Sequence, residues 1–150
     1  MQKDRKMDTT HGKYLAVDYG DKRTGLAECD ISGMLASGIG TIREGGMRNT
    51  AVRVAKEATT RCCKKIIVGL PKNMDGTEGD RAKTVRAFVE ILLTLVDIPI
   101  EFYDERMTTM VAYRYLGATE TYGKKRKESV DTLSAEIILQ DYLSFEKNKK

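Results

Sequence analysis

The first apolar run, Tyr14 to Asp18, reads as a strand with Tyr14, Ala16 and Asp18 on one face and Leu15 and Val17 on the other. A turn on Gly20-Asp21-Lys22 leads to a second strand at Thr24–Cys29, and a Gly-rich third segment, about Gly38–Arg43, completes an antiparallel meander. Asn49 or Thr50 is placed to cap a helix running to about Cys63, with Val52, Ala55, Thr59 and Cys62 on its inner stripe. The nearly continuous apolar run Lys65–Leu70 predicts a strand buried on both faces. After a turn-rich loop, Thr77 and Asp80 are spaced as a capping box. The helix they would open carries Ala82, Val85, Val89, Leu92 and Val96 at helical intervals. Pro99 introduces a strand at Ile100–Tyr103, Thr108 caps a short helix ended by Gly117, and a last helix spans about Glu128–Leu143.

The order β-β-β-α-β-α-β-α-α implies an α/β domain. Its mixed five-stranded sheet combines an antiparallel three-stranded meander with two parallel strands and is flanked by helices. At 150 residues the chain suits one domain over 13–145, preceded by a polar, disordered extension at 1–12 and followed by a basic tail at 146–150. No apolar stretch reaches the roughly 20 residues of a membrane span. The segment before Lys13 lacks the apolar region of a signal peptide. Cys29, Cys62 and Cys63 have no metal-ligand spacing and read as buried or partly buried thiols in a reducing cytoplasm.

Charge changes the picture. Lys and Arg number 26 against 22 Asp and Glu, and basic residues gather at Lys124-Lys125-Arg126-Lys127 and at the C-terminus. Such clusters attract polyanions, although a solvated loop and a frayed end are the plainer reading in isolation, above all for the tail. The single histidine, His11, lies in the predicted extension, so histidine-based catalysis is not expected.

Carboxylates stand at the edges of predicted elements: Asp18 ends the first strand, Asp104-Glu105 the fifth, and Asp131 heads the last helix. Alternation puts Asp104 and Glu105 on opposite faces, and periodicity does not choose between them. Asp131 lines up with Ala135, Ile138 and Tyr142, an inward stripe on which a carboxylate needs a partner or a metal. A turn-forming role for Asp18 and a helix-dipole role for Asp131 are the plainer alternatives. Taken together, the three suit two-metal phosphodiester chemistry, and hard oxygen ligands favour Mg²⁺ or Mn²⁺.

Val17-Asp18-Tyr19-Gly20-Asp21-Lys22-Arg23-Thr24-Gly25 resembles the opening motif of the YqgF/RuvX family. Members are described as Holliday junction resolvases and as pre-16S rRNA processing nucleases. The loop Val68-Gly69-Leu70-Pro71-Lys72-Asn73-Met74-Asp75-Gly76-Thr77-Glu78-Gly79 is similar to the family's most distinctive stretch. Asp104-Glu105-Arg106-Met107-Thr108-Thr109 resembles its third motif, with Met107 at a usual Leu position. Lys124–Lys127 followed by Val130-Asp131 and Leu133–Leu143 resembles its ending, so the likeness spans about 13–144. Glu28-Cys29 departs from the small residues usual on the second strand, and the N-terminal extension is longer than usual.

The resemblance implies an RNase H-like fold and an acidic metal site of Asp18, Glu105 and Asp131. Its implied partner is nucleic acid, either precursor ribosomal RNA or branched DNA, acted on by a cytoplasmic monomer or homodimer. Lys22, Arg23, Lys72, Asn73, Arg81, Arg106, Lys124, Lys125 and Arg126 are the candidate phosphate contacts. A non-catalytic RNA-binding module is the competing reading. An actin-like phosphotransferase would need two lobes, for which 150 residues do not suffice.

Overall fold

The computed structural model describes residues 12–43, 45–107 and 123–148, without the side chains of residues 107 and 123–131. Among these residues, strands β1 (Tyr14–Asp18), β2 (Thr24–Cys29), β3 (Ala36–Ile42), β4 (Lys65–Leu70) and β5 (Ile100–Asp104) form one sheet. Its order is β3-β2-β1-β4-β5. β1–β2 and β2–β3 pair antiparallel, whereas β1–β4 and β4–β5 pair parallel, as the element pattern predicts. Of the parallel strands β1 and β4 are central, hence the unbroken apolar run of β4, while β5 forms the edge.

The strand alternation separates two apolar layers. Leu15, Val17, Tyr19, Ile66, Val68 and Leu70 pack on helices α1 (Met47–Thr60) and α2 (Asp80–Leu93). Tyr14, Ala16, Ala27 and Ile67 pack on helix α3 (Gly123–Asn148), through Ala135, Ile138, Leu139, Tyr142 and Leu143. Fully burying side chains of the size of Leu15, Ile66 or Ile138 contributes about 1.5–3 kcal/mol each. No described helix is long and apolar enough to cross a membrane.

Several local expectations need correcting. α1 buries Thr50, Ala51, Val54, Ala55 and Ala58, while Val52 is 45% exposed. Of the expected inner stripe of Val52, Ala55, Thr59 and Cys62 only Ala55 is buried: Val54 and the small alanines, not Val52, turn inward. No side chain caps α1. Gly46 holds the N-cap position, and the Asn49 and Thr50 side chains donate to the Gly45 and Gly46 carbonyls instead. Thr77 does not cap α2, whose N-cap is Gly79. Its backbone N–H and hydroxyl both donate to the Asp75 carboxylate, a closer acceptor that holds it in the preceding turn.

Cys29 and Cys63 are buried and burial raises both thiol pKa values, but Cys62 is exposed, contrary to expectation. Its left-handed backbone, φ 57°, follows the end of α1 and turns it outward. α3 outruns the predicted Glu128–Leu143 at both ends, because the added turns carry too few apolar residues to give a periodic signal. Its last turns include Glu146, which accepts the Tyr14 hydroxyl at 3.1 Å. The extension at residues 1–11 and the short helix expected from Thr108 to Gly117 lie outside the described residues.

Candidate active site

The C-terminal ends of the three mutually parallel strands lie at one edge of the sheet, where open α/β sheets commonly hold ligands. Asp18 ends β1 there, opposite Gly25 of β2. Its neighbour Tyr19 is pinned to the α1/α2 layer by stacking on Phe88, ring centroids 4.4 Å apart. Alternation therefore turns Asp18 to the α3 face, with Tyr14 and Ala16. The carboxylate residue is buried, with 9% exposure. After it, the chain turns sharply, closed by the Gly20 N–H donating to the Thr24 hydroxyl at 3.3 Å. Lys22 and Arg23 are exposed in this turn.

The register of β1 and β4 runs through Val17 and Val68, so one further residue sets Asp18 beside Gly69. Glu105, in the 3-10 turn after β5, carries its side chain back over the same glycine. A Cβ built on Gly69 would lie 2.7 Å from Glu105 Oε2 and 2.7 Å from Ile138 Cδ1. Ile138 belongs to the α3-facing layer, so the Glu105 carboxylate is on the face that alternation assigns to Asp18. Gly69 was missed as a site residue. Its signal was a glycine inside an otherwise branched strand, which marks close approach of another group.

Asp104 is engaged elsewhere. Its carboxylate takes the Arg106 guanidinium at 2.7 Å and the Arg106 backbone N–H at 2.9 Å. The Arg106 hydrogen bonds hold its pKa below the usual carboxylate range against the opposing effect of burial. Arg106, expected as a phosphate contact, is exposed, pairs with Asp104 and donates from Nη1 to the Met74 carbonyl at 3.1 Å.

The loop between β4 and α2 is bound to itself. Asn73 Nδ2 donates to the Thr77 hydroxyl at 2.9 Å, and the Gly76 N–H donates to the Asn73 carbonyl at 2.8 Å. Gly76 has φ 92°, a conformation that favours glycine. Arg86 clasps Glu78 in a two-pronged ion pair, 2.7 and 2.8 Å, and lies over the Phe102 ring. Lys72, Asn73 and Arg81 line one depression with Glu105. Arg81 also lines a second depression with Gly20 and Asp21, so it stands between the β1 turn and the Glu105 side.

Among the described residues no three acidic, histidine or cysteine side chains converge as a metal site. Asp18 and Glu105 supply two carboxylates. The backbone of Asp131 lies in α3, two helical turns before Ile138, but its side chain is outside the described residues, as are those of Lys124, Lys125 and Arg126.

A family profile described as "RuvX: Holliday junction resolvase" matches residues 12–145. A protein of Clostridioides difficile (strain 630), named "Putative pre-16S rRNA nuclease", is 38% identical over 137 residues, covering 91% of this chain and 97% of its own. One of the same name from Thermoanaerobacter pseudethanolicus (strain ATCC 33223 / 39E) is 41% identical over 138 residues, covering 91% and 99%. Among solved structures, T. thermophilus RuvC in complex with a Holliday junction substrate is similar in fold. Its TM-score is 0.60 at 13% identity, with 91% of this chain and 97% of that chain covered. The mixed sheet, its carboxylate-bearing edge and a match along nearly the whole chain lead to one conclusion: the chain belongs to the RuvX (YqgF) family of RNase H-like nucleases.

Proposed function

We propose that the chain is a metal-dependent endonuclease acting on structured nucleic acid, and that its substrate is the 5′ region of precursor 16S ribosomal RNA. The observation carrying this reading is the approach of Glu105 to Gly69, on the face and at the edge where Asp18 ends β1. Two carboxylates at one edge repel each other, and a divalent cation relieves that repulsion. Their hard oxygens fit Mg²⁺ or Mn²⁺. Asp18, Glu105 and Asp131 are the proposed ligands. A bound pair of such ions would supply an activated water and stabilise the departing oxygen.

The rest of the work falls to the chain. Lys72, Asn73 and Arg81 hold backbone phosphates beside Glu105, which orients the scissile bond without reading sequence. Lys22 and Arg23 extend that contact along the β1 turn, and Lys124, Lys125 and Arg126 do so from the start of α3. The names of the relatives favour ribosomal RNA. The family description supports the alternative, a Holliday junction.

The test offers a precursor 16S fragment and a four-way DNA junction side by side, with Mg²⁺ or Mn²⁺ and with Asp18→Asn protein as control. Cutting of the RNA by the unaltered chain, lost in Asp18→Asn, is expected. Cutting of the junction alone would replace the substrate, and equal cutting by both proteins would sink the site. Metal-independent binding without cutting would favour the non-catalytic module.

A further inference from the structure

We propose that Arg106 is a positioning residue rather than a phosphate ligand: with Asp104 it latches the tip of the β4–α2 loop onto the end of β5, and so sets Lys72 and Asn73 against Glu105. This rests on the reading of that edge as the substrate site. Each guanidinium nitrogen has a partner within the protein, with Nε and Nη2 on Asp104 at 3.1 and 2.7 Å and Nη1 on the Met74 carbonyl at 3.1 Å. A Cβ built on Gly76 would lie 3.6 Å from the same Nη1, so the guanidinium stands beside the turn whose carbonyl it bonds.

The loop's other tie, Glu78 to Arg86, holds its far end to α2 and leaves the Met74 turn attached to β5 through Arg106. Asp104 and Arg106 also bracket Glu105 in sequence, and the Arg106 N–H bond to Asp104 shapes the turn that carries Glu105. One side chain therefore joins the wall of the depression to the carboxylate that lines it. Lysine has no planar fork and would not make these bonds together.

The two roles predict opposite behaviour. A phosphate ligand contributes about 0.9 to the slope of log affinity against log salt, and its loss lowers that slope. A latch leaves the slope unchanged, and its two halves fail together. The experiment compares Arg106→Gln, Arg106→Lys, Asp104→Asn and the double variant Asp104→Asn/Arg106→Gln. Hydrogen exchange at the Gly76 and Thr77 amides is read in metal-free, substrate-free buffer, and salt-dependent binding and cleavage are read with precursor RNA.

Exchange accelerated at least tenfold in all four, an unchanged salt slope, a cleavage rate down about tenfold or more, and no added effect in the double variant are expected. A slope reduced by about 0.9 in Arg106→Gln, or rescue by Arg106→Lys, would overturn the latch. So would unchanged exchange. Because exchange is read without metal or substrate, a chain that cut nothing would leave that arm of the test intact.

Discussion

Gly69→Ala adds one methyl group at the point where β4, α3 and Glu105 converge. The new Cβ would lie 2.7 Å from Glu105 Oε2, 3.3 Å from Glu105 Cγ and 2.7 Å from Ile138 Cδ1. Carbon contacts are at their best near 3.5–4.0 Å, so each neighbour must retreat by roughly 1 Å. Ile138 is fully buried and has nowhere to go without an unfavourable rotamer, whereas half-buried Glu105 stands at the sheet edge and can swing. The strain should therefore divide, with overpacking of about 1–3 kcal/mol offset in part by the roughly 0.5–1 kcal/mol that alanine gains over glycine in a strand. A net loss of about 1–2 kcal/mol, seen as a Tm lower by roughly 2–8 °C, is expected. A displacement of about 1 Å at a reacting group costs on the order of 100-fold in rate, so kcat should fall by that factor with KM little changed. Ile138→Val in the Gly69→Ala background removes Cδ1, and should restore stability but not cleavage. Gly45→Ala, with no atom within 4 Å of its Cβ, is the neutral control. A Gly69→Ala protein with unaltered kcat would refute the proposed role of Glu105 at this edge.

Two other outcomes follow from the packing. Val52→Ala should change stability by less than about 0.5 kcal/mol, whereas Val54→Ala, at a fully buried position, should cost about 1–3 kcal/mol by urea denaturation; the reverse order would return α1 to the phase expected from sequence. Burial raises the Tyr14 phenol from 10.0 to about 12, with Lys65 opposing and the Glu146 carboxylate reinforcing. A raised folded pKa contributes stability that is complete below about pH 10 and lost as pH rises through about 12. The alkaline fall in urea midpoint over that window should accordingly be shallower in Tyr14→Phe; an identical fall would remove Tyr14 from the titration.

How far the sequence could be read depended on where each signal comes from. Strand periodicity survives because it reports burial on two faces at once: Leu15 and Val17 against Tyr14 and Ala16 sorted into the two layers as alternation requires. α1 was misphased because its inward residues are mostly alanines, whose small apolar signal is outweighed by an exposed Val52. The two missed caps share a cause. Ser, Thr, Asn and Asp side chains bond whichever backbone group is nearest, and at Thr50 and Thr77 the nearest partner was not the helix end the spacing suggested.

The acidic edge was legible as a set of positions but not as a geometry. Alternation said that Asp104 and Glu105 face opposite ways, yet the face of Asp18 is fixed by Tyr19 stacking on Phe88, a contact between residues 69 apart in sequence. The absence of a side chain at Gly69 then admits Glu105 to that face, while Arg106 takes Asp104 away from it. Which carboxylate lies over β4 thus follows from three neighbours rather than from either carboxylate's own surroundings in sequence. Glu105 turns over β4 towards the Asp18 face, while Asp104 takes the Arg106 guanidinium, whose Nη1 donates to the Met74 carbonyl of the β4–α2 loop.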